Sequence, residues 1–334
     1  MEGHVTLKDL AKQLKVSPST VSRALRGHPD ISAQTRSQIL ALAESLDYHP
    51  DNIAQSLKSA RTKNIGVIIP EIKHDFFASV LDGIEDVTYE AGYSILVCKS
   101  NESYEREVMN TRVLASNRIA GLVASISQNT QDAGHFKALE RRRIPLVFFD
   151  RVFEDAAISK VIVNDEEGAF SAVDYLLRKG YRKVAHIGGP QHLSIGTQRF
   201  HGYCRALEAH GISLDMNLVY FGGLYEEDGS VAFERLCQFK PDAVFAVNDP
   251  VAIGAMMKIK TQGLKIPGDV AVVGFSNNSV AAMVDPPLTT VAQPAYEIGA
   301  SAARLLMEAI EQKNSARKAV VETLKTELII RESA

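Results

Sequence analysis

The chain is 334 residues long, 46% apolar and 23% charged, with a formal net charge of −3, which is enough for two or three domains of ordinary size. No window approaches the ~20 consecutive apolar residues that a membrane helix needs, and the opening MEGHVTLKDL has neither a basic start nor an apolar run. No membrane span and no secretory signal are expected, and the protein is expected to be cytoplasmic.

Cys98, Cys204 and Cys237 are widely spaced and lack any CxxC, so they read as small core residues rather than disulfides or metal ligands. The charge is unevenly spread: residues 1–63 hold nine Lys or Arg against six Asp or Glu, a balance of +3 that leaves −6 on the remainder. Attraction to phosphate therefore sits at the N-terminal end. A single +3 segment is a weak electrostatic footprint, which argues for two copies binding together.

Thr6 to Leu25, TLKDLAKQLKVSPSTVSRAL, contains two start signals for short helices. Thr6 can cap the first, with Asp9 three positions on returning a bond as in a capping box. Leu7, Leu10, Ala11 and Leu14 recur at helical spacing on one face, so the helix is predicted to end near Gln13. Ser17 followed by Pro18 starts the second, since proline's fixed φ suits the first turn. Val16, Val21 and Leu25 can face the first helix, which leaves Ser17, Pro18, Ser19, Ser22 and Arg23 outward. That hydroxyl-rich surface with one long donor suits a helix lying in a groove of DNA. An ordinary helical hairpin fits the same pattern. A third helix is predicted over Gln34 to Leu46, capped by Ser32, with Ile39, Leu42, Ala43 and Leu46 as its apolar stripe. Tyr48-His49-Pro50 ends it, because the residue before proline is pushed out of the α region. Asn52 to Ser59 reads as one more short amphipathic turn before a polar linker.

From Asn64 onward, short apolar runs alternate with helical patterns, the period of βαβ units and parallel sheets. Strands are predicted at Ile65–Ile69, Tyr93–Cys98, Gly121–Ala124, Leu146–Phe149, Lys183–Ile187, Val219–Phe221, Ala243–Ala246 and Val270–Val273. Helices are predicted at Phe77–Ala91, Tyr104–Asn117, Glu166–Lys179, Arg199–His210, Gly229–Cys237, Pro250–Gln262 and Pro294–Gln312. The body is thus two similar α/β halves. Doubly wound lobes place a ligand outside the carboxyl ends of their strands, so attention falls on the residues just after strands.

VTLKDLAKQLKVSPSTVSRAL together with YHPDNIAQSLKSARTKNIGVIIP is similar to the N-terminus of LacI/GalR-family bacterial transcription regulators. HDFFASVLDGIE, FFDR, RFHGY, FAVNDPVAIGA and VVGFSNNSVAAMVDPPLTTVAQP extend the resemblance through the body. It implies an all-α helix-turn-helix headpiece at 1–50, a hinge helix and linker at 51–63, and a two-lobed periplasmic-binding-protein-like α/β body at 64–334. Lobe 1 is expected to span about 64–163 plus 294–325, and lobe 2 about 164–293 plus the C-terminal segment. The resemblance implies a sequence-specific repressor, a homodimer on a near-palindromic operator in double-stranded DNA. A sugar or sugar derivative between the lobes would control it, with no cofactor.

Expected DNA contacts are Thr6, Ser17, Pro18, Ser19, Thr20, Ser22, Arg23 and Tyr48, with Ala54, Leu57 and Lys58 from the hinge. The family's hinge leucine, matched by Leu57, wedges between base steps in the minor groove. Expected ligand contacts are Phe76, Phe77, Asp150, Arg199, Asn248, Asp249 and Ser276. Arg199 is expected to open its helix, a poor place for a cation by the dipole alone, so ligand contact is expected, with structural pairing the alternative; the resemblance implies a role in holding hydroxyls or a carboxylate, which a planar five-donor fork suits. Asp150 at a strand end can take two sugar hydroxyls or cap the next turn, and Asp249, just before Pro250, can contact ligand or cap a helix. Of the two aromatics, Phe76 is expected to stack on ligand and Phe77 to fill the core. Leu224 and Tyr225 are further candidates. The family often has an aspartate where this chain has GFSNN, so Ser276 is a departure that removes a common hydroxyl-binding carboxylate.

No Walker A pattern, H-E-x-x-H or G-x-S-x-G is present, and Gly188-Gly189-Pro190 is too short to cradle a phosphate. An α/β enzyme with a helical appendage would have no evident nucleophile, and an exported solute-binding protein would have no use for the headpiece. Leu57→Ala is expected to weaken operator binding and leave ligand affinity nearly unchanged. Operator affinity that stays within about twofold in a salt-controlled titration would reject the hinge assignment.

Overall fold

The computed structural model describes residues 5–25, 27–46, 48, 62–153, 158–312 and 318–334, and it divides into a unit ending at Thr62 and a unit from Lys63 to Ala334. Ala54, Leu57 and Lys58 lie outside the described residues.

In the first unit α1 (Leu7–Gln13), α2 (Pro18–Leu25) and α3 (Ala33–Ser45) close around Leu10, Ala11, Val21, Ala24, Ile39 and Ala43. Asp9 Oδ2 accepts from the backbone N–H of Thr6 at 2.9 Å and from its hydroxyl at 2.6 Å, which secures the start of α1. Lys15 adopts a left-handed φ of 52° in the turn between α1 and α2. Ser17 caps α2 by accepting from Thr20 N–H at 3.1 Å, and Ser32 caps α3 by accepting from Thr35 N–H at 3.2 Å. Val16 and Leu25 flank this core, and Ala24, three positions after Val21, is buried in their place. Arg36 Nη2 donates to the carbonyls of Gly27 and His28 at 3.1 and 2.7 Å, tying the loop after α2 to α3.

The second unit is two doubly wound lobes. Lobe 1 has strands β1 (Asn64–Ile69), β2 (Ser94–Lys99), β3 (Gly121–Ala124), β4 (Leu146–Phe149), β5 (Ser159–Val163) and β11 (Val321–Leu324). They form one parallel sheet in the order β11-β5-β4-β3-β1-β2, in which Val67 stands between Val97 and Val123. Lobe 2 has β6 (Val184–Gly188), β7 (Val219–Phe221), β8 (Ala243–Ala246), β9 (Ala271–Ser276), β10 (Thr289–Ala292) and β12 (Glu327–Ile329), in the order β12-β10-β9-β8-β6-β7. All of its pairings are parallel except that of β12 with β10. Runs such as NIGVII and AVFA are buried almost throughout, as strands covered on both faces must be.

The covering helices are α4 (Asp75–Glu90), α5 (Tyr104–Ser116), α6 (Gly134–Arg141) and α11 (Ala295–Glu311) in lobe 1, with α7 (Asp165–Arg178), α8 (Ser194–Ala209), α9 (Glu226–Leu236) and α10 (Asp249–Thr261) in lobe 2. β5, β10, β11, β12 and α6 were not expected from sequence. Arg199 does not open its helix: α8 begins at Ser194, so the argument from the helix dipole does not apply to it. The three cysteines are free and half-buried, packed against the apolar clusters rather than inside them.

The chain crosses between lobes after β5, after β10 and between β11 and β12. Two of these crossings are tied together, since Asn164 Oδ1 accepts from the N–H and hydroxyl of Thr326 at 2.8 and 3.0 Å. Each lobe also contains a helix pair brought into backbone contact by glycine. A Cβ on Gly299 would stand 2.0 Å from the Val80 carbonyl oxygen on α4, and one on Gly254 would stand 1.8 Å from that of Glu226 on α9. These neighbours are backbone atoms and cannot swing aside. Gly254→Ala is therefore expected at the upper end of the ~1 to 3 kcal/mol that overpacking costs, read as a lowered midpoint in chemical denaturation. A midpoint unchanged from the parent would show that α9 and α10 can separate without loss.

Candidate functional site

Two regions concentrate the predicted residues. On α2 the exposed face carries Ser17, Pro18, Ser19 and Arg23, with Thr20 and Ser22 half-exposed. The Ser17 hydroxyl bonds the hydroxyls of Ser19 at 2.7 Å and Thr20 at 2.8 Å, so the start of the helix presents a cluster of small polar groups whose donors can be redirected. Arg23 stands exposed one turn later, the only long cationic side chain on that face of the described helix. Tyr48 is half-buried against the headpiece core, its N–H donating to the Ala43 carbonyl at 2.8 Å.

The second region is the cleft between the lobes of the body, a concavity of about 480 Å³ when the part open to solvent is included. Its walls are strand ends. Lobe 1 supplies Glu71, His74, Phe76 and Phe77 after β1, Glu102 after β2, and Asp150 and Arg151 after β4. Lobe 2 supplies Ile195 and Arg199 from α8, Leu224 and Tyr225 after β7, Asn248 and Pro250 after β8, and Ser276 and Asn278 at the end of β9. Gln293 joins them from the crossing after β10.

The cleft brings together Phe76, Phe77, Asp150, Arg199, Asn248 and Ser276, with Leu224 and Tyr225. Phe77 is buried in the lobe 1 core and Phe76 only partly, their rings edge to face at 5.1 Å. Asp249 is not among the lining residues. It is fully buried behind them, where its Oδ2 accepts from Asn278 N–H at 2.8 Å and its Oδ1 from the Thr290 hydroxyl. It holds in place the loop that offers Ser276 and Asn278 to the cleft. The cap of α10 is Asn248, whose Oδ1 accepts from Val251 N–H at 2.9 Å while its amide donates to the Leu224 carbonyl at 2.9 Å.

Arg199 is 2% exposed and bonded on every nitrogen. Nε and Nη2 meet Asp165 Oδ1 at 2.8 and 2.7 Å, Nη1 donates to the Val247 carbonyl at 2.6 Å, and the guanidinium lies 3.7 Å from the Phe275 ring centre. It forms a wall of the cleft more than a free donor.

Glu71, His74 and Arg151 lie in post-strand segments to which the sequence directs attention, though without an assigned contact, whereas Glu102, Asn278 and Gln293 were not singled out. Arg151 Nη1 donates to both oxygens of Glu102 at 2.8 and 3.0 Å. Burial pushes the Asp150 carboxyl up to about 6, against the pull of the Arg151 and Arg199 charges. Burial does the same to Asp249, to about 6, opposed first by the Thr290 hydroxyl. Three buried polar atoms of this lining have no close hydrogen-bond partner: Asn278 Oδ1, Arg151 Nε, which lies 3.8 Å from Asp150 Oδ2, and Gln293 Nε2, whose amide is within reach of the Asp150 carboxyl. Buried polar atoms are rarely left so, and here they face a space a ligand can fill.

Polar contacts cross the mouth of the cleft. His74 Nδ1 meets Glu71 at 3.0 Å on its own lobe and Nε2 meets Glu226 at 3.2 Å on the other. Lys73 reaches Glu226 at 3.3 Å, the Tyr225 hydroxyl donates to Glu102 at 3.2 Å, and Asp75 Oδ2 accepts from Ser279 N–H at 2.6 Å. The bond to Glu71 raises the His74 pKa despite burial, and the Glu226 contacts raise it further.

Among the described residues no cluster of His, Cys, Asp or Glu could hold a metal ion, and no helix is long and apolar enough to cross a membrane.

The profile of bacterial regulatory proteins of the lacI family matches residues 6–51, and that of the periplasmic binding protein-like domain matches residues 173–334. The HTH-type transcriptional repressor PurR of Vibrio atlanticus is 32% identical over 316 residues, 94% of each chain. Among solved structures, the lac repressor dimer bound to operator and the anti-inducer ONPF matches with a TM-score of 0.86 at 25% identity over 99% of each chain. The transcriptional regulator CelR in complex with cellobiose matches with a TM-score of 0.76 at 28% identity, over 99% of this chain and 100% of that one. The chain belongs to the lacI family of bacterial regulatory proteins and is a DNA-binding transcriptional regulator under small-molecule control, not an enzyme.

Proposed function

We propose that this regulator is a cytoplasmic homodimeric repressor whose two headpieces, residues 1–50, read the halves of a near-palindromic operator, and whose body, residues 64–334, binds a sugar or sugar derivative in its cleft. The observation that carries the ligand reading is the gathering at the strand ends of Asn278 Oδ1, Arg151 Nε and Gln293 Nε2, buried without close hydrogen-bond partners, around the Asp150 carboxylate that the last two approach. Two donors and two acceptors within one cleft, with Phe76 beside them, match a polyol that presents hydroxyls on its edge and C–H groups on its face. The cellobiose bound by CelR, a relative of the same architecture, supports a saccharide.

Dimerisation has a surface available. β2 is the edge strand of its sheet and exposes Leu96 and Val97, and α5 beside it exposes Met109 and Val113. Covering such a patch and edge with a second copy removes apolar surface from water. Within this reading, residues 51–63 with Ala54, Leu57 and Lys58 enter the minor groove, while Thr6, Tyr48 and the face of α2 position and read the duplex. The effector acts by favouring one arrangement of the lobes over the other, because a ligand with equal affinity for both shifts nothing.

Arg23 is assigned a direct base contact worth ~1 to 3 kcal/mol of discrimination. Arg23→Ala is expected to relax sequence preference more than non-specific affinity, and a binding-site profile indistinguishable from the parent's would remove it from the readout.

Closure of the cleft is expected to depend on pH through His74. Glu71 on its own lobe raises its pKa most, and Glu226 of the opposite lobe, with Lys73 and the Tyr225 ring alongside, raises it further while the cleft is closed. A group raised on closing contributes fully below its ordinary value and loses that contribution as pH rises through the raised one. The melting temperature of the parent should exceed that of His74→Gln most below the ordinary histidine value of about 6.5, and the gap should close as pH rises above it. Taking the difference removes the opposing titrations of Asp150 and Asp249, which both proteins share. A gap that does not change with pH would leave His74 a neutral spacer.

A further inference from the structure

We infer that Glu102 makes the cleft a site for an uncharged, hydroxyl-rich ligand and shuts out phosphorylated ones, by cancelling the charge of Arg151 while leaving its donors free. The inference rests on the effector reading above and narrows it.

The ionisable lining consists of Glu71, His74, Glu102, Asp150, Arg151 and Arg199. An anionic ligand needs a cation with charge to spare. Arg199 has none, since the Asp165 carboxylate lies directly against it. Arg151 is held by Glu102 at 2.8 Å, with Asp150 Oδ2 a further 3.8 Å from its Nε. His74 stands between Glu71 and Glu226. Every positive group in the cleft therefore already faces a carboxylate. A phosphate, bringing roughly −1.5 to −2 charges, would be placed beside Glu71, Glu102 and Asp150 in a low-dielectric site where repulsion is poorly screened.

A hydroxyl makes no such demand. Arg151 Nε, 3.8 Å from Asp150 Oδ2, and Gln293 Nε2, within reach of the Asp150 carboxyl, are buried without a close hydrogen-bond partner and can donate to it, while Asn278 Oδ1 and the Asp150 carboxylate can accept from it. The pairing of Arg151 with Glu102 removes net charge and preserves hydrogen-bond donors, which is what discrimination in favour of a neutral polyol requires.

Glu102 is also unable to turn away and release Arg151. Its residue sits in the left-handed region at φ 56°, its Oε2 accepts from Gln128 N–H at 2.6 Å, and its Oε1 accepts from the Tyr225 hydroxyl of the opposite lobe at 3.2 Å. Donors on three sides fix the carboxylate, so the compensation is built in rather than adjustable. Glu102→Gln keeps the shape and an acceptor oxygen, and removes the charge.

The experiment is isothermal titration of the full chain with matched pairs: glucose and glucose 6-phosphate, ribose and ribose 5-phosphate, cellobiose and cellobiose phosphate. The parent is expected to bind at least one neutral member, with its phosphate ester weaker by about a hundredfold or more. Glu102→Gln is expected to reduce that ratio by about tenfold or more, through gained affinity for the ester. A parent that prefers the ester overturns the inference and leaves the effector reading intact. A folded Glu102→Gln protein with an unchanged ratio overturns the role of Glu102. If the variant fails to fold, the parent's own ratio decides, and a value near one rejects the charge filter. Binding of neither member of any pair rejects the saccharide reading itself, and this inference with it.

Discussion

The Asp165–Arg199 pair is the interaction on which the geometry of the body depends. Asp165 is the first residue of α7, just past the crossing from lobe 1, and Arg199 stands in the middle of α8. The guanidinium also bonds the Val247 carbonyl beyond β8 and stacks on Phe275 in β9. One side chain thus ties the crossing to three elements of lobe 2, all at the carboxyl ends of strands where the ligand wall must be. The pair is buried, so removing one partner leaves an uncompensated charge that costs about 3 to 5 kcal/mol. Stability and cleft shape are consequently inseparable at Arg199, and a loss of ligand response on changing it would not by itself identify a ligand contact.

The cleft is assembled at some cost to the backbone. Asp150, Glu102 and Ser276 all line it and have φ of 57°, 56° and 123°. Non-glycine residues in such regions cost ~1 to 3 kcal/mol each and persist only where their surroundings over-determine them. For Ser276 those surroundings include the bond from its hydroxyl to Gln293 Oε1 at 2.9 Å and the hold of Asp249 on Asn278 two residues on. Gly274 completes this support, since a Cβ there would meet Asp249 Oδ1 at 2.3 Å. Where the resemblance led to the expectation of a carboxylate, this chain has a hydroxyl on a strained and well-braced loop, and in the proposed reading the acceptor role falls instead to Asp150 and Asn278.

Much of this was legible in the sequence because the signals are local. Ser17-Pro18 marks α2 by cap chemistry alone, and runs such as NIGVII mark central strands by burial on both faces. The start of α8 was not legible, because its first turns read SIGTQ, with Leu193 at the cap and no side chain bonding a free N–H. β11 and β12 alternate as VETL and ELI, too short to outweigh the surrounding polar residues, and their pairing with β5 and β10 is long-range. Among cleft residues, Phe76, Asp150 and Asn248 were found because they directly follow strands or open helices. Glu102 and Gln293 were missed because their roles come from partners 49 and 17 positions away. Asp249 misled for the opposite reason: its place before Pro250 suggested a cap or a contact, whereas tertiary packing buries it.

The bonds between the lobes are arranged unequally, and this bears on how the switch can work. At the crossings, Asn164 and Thr326 are joined by short neutral bonds that have no titratable member. At the mouth, the partly exposed Glu226 meets His74 and Lys73, which could instead be solvated, while the Tyr225 hydroxyl reaches across to the buried Glu102. Partly exposed ion pairs are worth ~1 kcal/mol or less each, and a hydrogen bond to a charged group ~1.5 to 3. Opening at the mouth therefore costs a few such contacts, whereas opening at the crossings would separate bonds that hold two chain segments in register. The two lobes can accordingly rotate about the crossings with the mouth as the moving edge. In the proposed reading, a ligand joining Arg151 and Asp150 on one side to Asn278 on the other would span that edge, so that closure is the motion its binding would favour.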